Sequence, residues 1–169
     1  MEKLYTTYIL PLLEYASVVW SPHQLGDIEL LERVQRRFTK VPRKLRNLSF
    51  EERRQRLNLK SLETRRFRND LIEAYKIVNG IETVIFEAES HGFIRQTAPT
   101  AGKRAKLRRE VVKSCNQRHN FYNRVVNGCN ELPDRIFASE SVNDFKKSLD
   151  EATKVIYYKM KFFDNNLFV

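Results

Sequence analysis

Apolar positions recur at steps of three and four along most of the chain, which predicts helices rather than strands. From Glu2 to about Trp20 the spacing is kept by Leu4, Tyr5, Tyr8, Ile9, Leu12, Leu13, Ala16 and Val19. Pro11 lies inside this run and, lacking a backbone N–H, should kink the helix or divide it. So broad an apolar face predicts a buried helix, one suited to a partner domain. The turn "SPHQLGD" ends it. A second helix is expected from Asp27, a good N-cap residue, to about Val41, with Ile28, Leu31, Val34, Phe38 and Val41 facing inward. Pro42 stops it, and "PRKLRN" follows as a basic loop.

Ser49 and Glu52 have the spacing of a capping box, which starts a short third helix, "FEERRQRL". Ser61 can cap a long fourth helix that stops at Asn79-Gly80, with Phe67, Leu71, Ala74, Tyr75 and Val78 on its buried face. Residues 81–102 have no period and contain Gly92, Pro99 and Gly102, the pattern of a loop or linker. After them "KRAKLRREVVKS" reads as an extended basic strand or arm. A helix from about His119 to Glu131 turns Phe121, Val125 and Cys129 to one side, and Pro133 stops it. Ser141 with Asp144 then caps a last helix carrying Val142, Phe145 and Leu149, which the tail "VIYYKMKFFDNNLFV" could extend. The predicted fold is mainly α. A helical region spans 1–80, a linker 81–102, and a basic extended segment with two further helices 103–169.

Composition supports this reading. Apolar residues make up 41% of 169, enough for a core, and five Gly and five Pro are too few for a turn-rich β-sandwich. Cys115 and Cys129 have neither metal-ligand nor disulfide-framework spacing, so a reduced intracellular setting, nuclear or cytoplasmic, is the expectation. The most apolar window, Tyr8 to Trp20, is too short to span a bilayer and includes Glu14.

Charge changes the picture most. The net charge is +10, and between Arg33 and Arg68 fourteen basic residues face three acidic ones. A second cluster, Lys103 to Arg118, holds seven basic residues and one acidic. Such segregation attracts phosphate polymers first, anionic membranes or acidic proteins second; the bland reading is a solvated helix face with local ion pairs. The acids nearby, Glu32, Glu51, Glu52 and Glu63, are too few to pair these cations. The candidate phosphate-binding residues are therefore Arg33, Arg36, Arg37 and Lys40 on the second helix and Arg43, Lys44 and Arg46 in its loop. Lys103, Arg104, Lys106, Arg108 and Arg109 in the basic arm join them. Phe38, Phe50 and Phe67 could stack bases, but their helical spacing favours core packing. His23, His91 and His119 are scattered, the six Asp are never adjacent, and no P-loop, Rossmann fingerprint or nucleophile elbow occurs. No catalytic or metal site is expected within the chain.

Several stretches in order carry a resemblance: "LPLLEYASVVWSP", "DIELLERVQRRFTK", "LRNLSFEERRQRLNLKSLETRRFRNDLIEAYKIVNGIE", then "RVVN" and "NELPDRIFASESVNDFKKSLD". Across residues 4–150 the pattern resembles the C-terminal segment of reverse transcriptases from non-LTR (LINE-type, jockey-like) retrotransposons. The resemblance implies thumb-like helices downstream of a polymerase palm, and contact with RNA or an RNA–DNA duplex without sequence preference. The palm would carry the paired aspartates and the Mg2+. The chain starts almost where that palm should have ended, so the segment is expected to be noncatalytic by itself, needing no cofactor. The alternative it implies is a structural lobe that packs on a palm or on itself. Two departures stand out. Gly128-Cys129 replaces the family's Leu-Trp after "RVVN", which predicts a gap and a helix penalty of roughly 1 kcal/mol for Gly. "VPRK" replaces "IPG" after the second helix and adds charge. A truncated, diverging element copy, or a host gene derived from one, would carry such changes.

Overall fold

The computed structural model describes residues 2–83, 94–95, 106–109 and 118–152. These residues are mainly helical, as expected. The chain forms two compact units, Met1–Arg66 and Phe67–Val169.

The first unit begins with α1 (Glu2–Leu4), a π turn (Tyr5–Ile9), and α2 (Leu10–Glu14). Pro11 falls in the first turn of α2, where a missing N–H costs nothing. The wider π turn immediately precedes it, closed by the Leu10 N–H donating to the Tyr5 carbonyl. Ala16 then takes left-handed backbone (φ 51°) and separates off α3 (Ser17–Trp20). The interruption is therefore double, and Pro11 is not the only break. It also re-phases the buried face. Tyr5 and Leu10, five residues apart, are the buried pair, while Leu4, Tyr8, Leu12, Ala16 and Val19 are exposed. The expectation of a helix buried along all of these positions is corrected accordingly. Tyr5 stacks on Phe38 at 4.5 Å, and Leu62, Ile9, Leu13, Leu31 and Leu59 complete this small core. Burial, reinforced by the Glu32 carboxylate, pushes the Tyr5 phenol above its ordinary pKa.

Helix α4 (Leu25–Thr39) starts two residues before Asp27, which sits in the first turn instead of capping it and still complements the helix dipole. Its inward line also differs from the expected stripe. Gln35 and Thr39 are fully buried, whereas Val34 and Val41 are exposed. Gln35 Nε2 donates to the Lys60 carbonyl at 3.0 Å, which compensates the amide nitrogen, while among the described residues its Oε1 meets no donor. A 3-10 turn (Arg43–Leu45) and α5 (Phe50–Arg56) follow, the latter opened by the expected Ser49–Glu52 capping box.

Helix α6 (Leu62–Val78) gives its first turn to the first unit and the remainder to the second. Ser61 Oγ accepts from the Thr64 N–H, and Glu32 Oε1 accepts from the Glu63 N–H, so two otherwise orphaned donors are satisfied. At its end Gly80 (φ 68°) lets the Ile81 N–H reach the Lys76 carbonyl and its own N–H reach Ile77, a Schellman ending.

In the second unit, β1 (Ile94–Arg95) pairs antiparallel with β2 (Leu107–Arg108). The helices α7 (Phe121–Glu131), α8 (Asp134–Phe137) and α9 (142–152) complete it. The core joins Leu71, Ala74 and Tyr75 of α6 to Val125, Val126, Cys129, Ile136, Phe137, Phe145 and Leu149. Tyr75 stacks on Phe145 at 4.1 Å, and Phe137 meets both rings. Two bidentate ion pairs, Arg124–Asp70 and Arg68–Asp150, flank this core at 2.8–2.9 Å.

Gly128 leaves no gap. A Cβ built there would lie 2.8 Å from the Phe67 ring and 3.1 Å from Leu71, so the ring occupies the space a larger residue would need. Gly128→Val should therefore destabilise the second unit by about 2–3 kcal/mol through overpacking, outweighing the helix propensity gained. Urea melts followed by far-ultraviolet circular dichroism measure this. An unchanged midpoint would show that Phe67 swings away freely.

Candidate nucleic-acid interface

The cations of the first unit divide into two kinds once the fold is in place. Arg53 is buried: Nε donates to Thr39 Oγ1 at 3.1 Å and Nη1 donates to the Leu48 carbonyl. Arg54 pairs with Glu51, and Arg65 makes a two-pronged contact with Glu14. Arg53 and Arg65 hold elements together, whereas the Arg54–Glu51 pair lies within α5. The second kind faces solvent. Arg33, Arg36, Arg37 and Lys40 recur at three- and four-residue steps along α4, and Arg43, Lys44 and Arg46 follow in the loop, all exposed.

The acids that could neutralise this surface are engaged elsewhere. Glu14 holds Arg65, Glu51 holds Arg54, and Glu32 caps α6. Glu52 accepts from the Ser49 N–H at 2.8 Å, and hydrogen bonding by the Ser49 hydroxyl and then by that N–H keeps its carboxyl below the ordinary pKa. Arg33 does have a partner, Glu29, but at 3.9 Å between half-exposed side chains the pair is weak. Arg36 lies over the Phe50 ring at 5.1 Å. Phe50 is thus ringed by Arg36, Arg53 and Arg54 and is half-buried, Phe38 stacks in the core, and Phe67 packs on the second core.

Among the described residues, Arg37, Lys40, Arg43, Lys44 and Arg46 make no ion pair and no side-chain hydrogen bond. Arg37, Lys40, Val41 and Arg46 line an open concavity of about 510 Å³. Its shape depends on how the loop returns. Leu45 is buried, the Leu48 N–H donates to the Leu45 carbonyl, and Arg53 ties Leu48 back to Thr39 at the end of α4. The residues before and after the cationic segment are thus bound by one guanidinium, a feature the sequence hides because an arginine inside a charge run reads as surface.

In the second unit, Lys106, Arg108 and Arg109 are exposed on either side of buried Leu107. Asn130 of α7 fixes this segment, accepting from the Leu107 N–H and donating to its carbonyl at 3.0 and 2.8 Å. The extended reading of the arm therefore holds where it is described; Lys103 and Arg104 lie outside the described residues.

Arg53→Met should release the loop by leaving the Thr39 hydroxyl and Leu48 carbonyl without their donor, at about 2 kcal/mol. Trp20, the single tryptophan, whose Nε1 donates to the Tyr15 carbonyl, reports unfolding of the first unit by fluorescence. A melt identical to the parent protein would refute the bridging role.

Among the described residues no three His, Cys, Asp or Glu side chains gather as a metal would require, and no helix is long and apolar enough to cross a membrane. No protein-family model matches this chain, and no curated protein or solved structure does either.

Proposed function

We propose that this chain is a helical nucleic-acid-binding segment of a non-LTR-type RNA-directed DNA polymerase, gripping RNA or an RNA–DNA duplex by its phosphates. The observation that carries the binding part is the run of exposed cations from Arg36 to Arg46, whose neighbouring acids are engaged elsewhere. Cations at helical spacing followed by a pinned basic loop suit a phosphate backbone, which presents charges at regular intervals. The polymerase part rests on the resemblance of residues 4–150 to the segment downstream of a palm. In this reading the chain positions template and primer, and the carboxylates and Mg2+ of phosphoryl transfer belong to the palm. Contacts made through phosphates give sequence-tolerant, salt-sensitive binding. Titration of RNA and RNA–DNA duplex at a series of salt concentrations tests it. Affinity should fall steeply with salt and vary little with sequence, and a flat salt response would refute it.

A second reading is favoured by one observation. Leu4, Tyr8, Leu12, Tyr15 and Val19 expose an apolar surface on α1 to α3 that a packing partner, a palm or a second copy, would cover. A lobe of that kind has no affinity of its own for nucleic acid, so the same titration separates the two.

A further inference from the structure

We propose that the concavity lined by Arg37, Lys40, Val41 and Arg46 is a subsite for the terminal phosphate monoester of a nucleic-acid strand. This rests on the nucleic-acid reading above and adds a ligand group to it. Three cations converge here from two elements. Arg37 and Lys40 lie at the end of α4, and Arg46 lies beyond the 3-10 turn. Among the described residues no acidic side chain lines the space.

Two simpler roles fall short of this arrangement. Cations at a helix C-terminus offset its dipole, but that end carries only about half an elementary charge. Arg36 is already in that last turn, so Arg37, Lys40 and Arg46 together exceed what the dipole needs. Backbone phosphodiesters are the second possibility. Each carries a single negative charge, which one Lys or Arg neutralises. Three cations in one concavity match a group with greater charge at one point, and a phosphate monoester carries about −1.5 to −2 near neutral pH.

The concavity is wide and open, about 510 Å³, so a strand end can reach its cations without the loop moving. Val41 offers an apolar wall against which the sugar carbons can rest. Arg53 keeps the pocket in shape, since it binds both Thr39 and Leu48, on either side of the segment that carries Lys40, Val41 and Arg46. Arg53 is thus a positioning residue that touches no ligand.

The test is a fluorescence-anisotropy competition on the full chain at fixed ionic strength. A labelled hydroxyl-ended oligonucleotide is displaced by unlabelled strands of one sequence bearing a 5′-phosphate, a 3′-phosphate or hydroxyls only, and by inorganic phosphate. A phosphate-ended strand should compete about tenfold better than the hydroxyl-ended one, as one additional set of charge-assisted hydrogen bonds provides. Whichever end gives the advantage identifies the polarity. Arg46→Gln and Arg37→Gln should each bring the ratio close to one, and Arg53→Met should reduce it without removing a pocket cation. Equal competition by phosphate- and hydroxyl-ended strands would overturn the subsite and leave backbone binding intact. Inorganic phosphate competing as well as the phosphate-ended strand would overturn the strand-end assignment. Failure of every oligonucleotide to bind would overturn both this inference and the reading beneath it.

Discussion

Replacing Arg36, Arg37, Lys40, Arg43, Lys44 and Arg46 together by glutamine is expected to flatten the salt dependence of nucleic-acid binding. For duplex, log affinity falls by about 0.9 per neutralised phosphate for each log unit of salt, so losing the backbone contacts of Arg36, Arg43 and Lys44 alone would lower the slope by about 3, and losing Arg37, Lys40 and Arg46 adds to it. At low salt the loss of affinity should exceed about a hundredfold, since each contact is a charge-assisted one. Most of these side chains are exposed and without ion-pair partners, so the substitutions leave the fold intact. Circular dichroism should be unchanged while binding collapses. Arg36 is the exception to watch, because it also covers the Phe50 ring. A variant that keeps Arg36 separates the two contributions. Parent-like binding by the sixfold variant would move the interface to another surface.

The second large effect concerns stability. Phe145→Ala should cost about 3–5 kcal/mol, the range for removing a wholly buried aromatic ring. Phe145 is fully enclosed, stacks on Tyr75 and meets Phe137 edge-on at 5.5 Å. Its removal leaves a cavity bounded by α6, α8 and α9. Tyr75 is held from the other end by its hydroxyl, which donates to the Ser139 carbonyl at 2.5 Å, so the ring cannot simply drop into the vacated space. Chemical denaturation of the variant checks the figure. A loss below about 1 kcal/mol would mean that the core collapses around the gap.

Much of the local architecture was legible because a few residue types have narrow physical roles. Ser49 with Glu52, Gly80, and Ser141 with Asp144 mark helix ends by the hydrogen bonds or backbone angles only they supply readily. The apolar positions of α6, α7 and α9 pointed inward as their spacing required. Legibility failed where polar residues were buried. Gln35, Thr39 and Arg53 read as surface, yet Thr39 and Arg53 join α4, its loop and α5, and Gln35 ties α4 to the turn that follows α5. Apolar spacing cannot reveal such contacts, since the amide nitrogen of Gln35, the Thr39 hydroxyl and the Arg53 guanidinium each meet a partner outside their own helix. The candidate interface divides the same way. Its exposed cations were evident from charge alone, whereas the concavity required the return path of the loop. Gly128 is a third instance. As a departure from a family pattern it predicted a void, but Phe67, on another helix, fills that space.

The π turn at Tyr5–Ile9 bears on how the chain can vary in length. It holds one residue more than a regular helical turn between Tyr5 and Leu10, the two buried anchors of the first segment. Removing a residue between them would leave anchors four apart, a spacing that an ordinary α-helix also keeps on one face. The same deletion within α4 would rotate everything beyond it by about 100° and turn Gln35 and Thr39 away from their partners. The amino-terminal segment can therefore shorten by one residue through a single deletion, while the helix bearing the cations is locked to its present count.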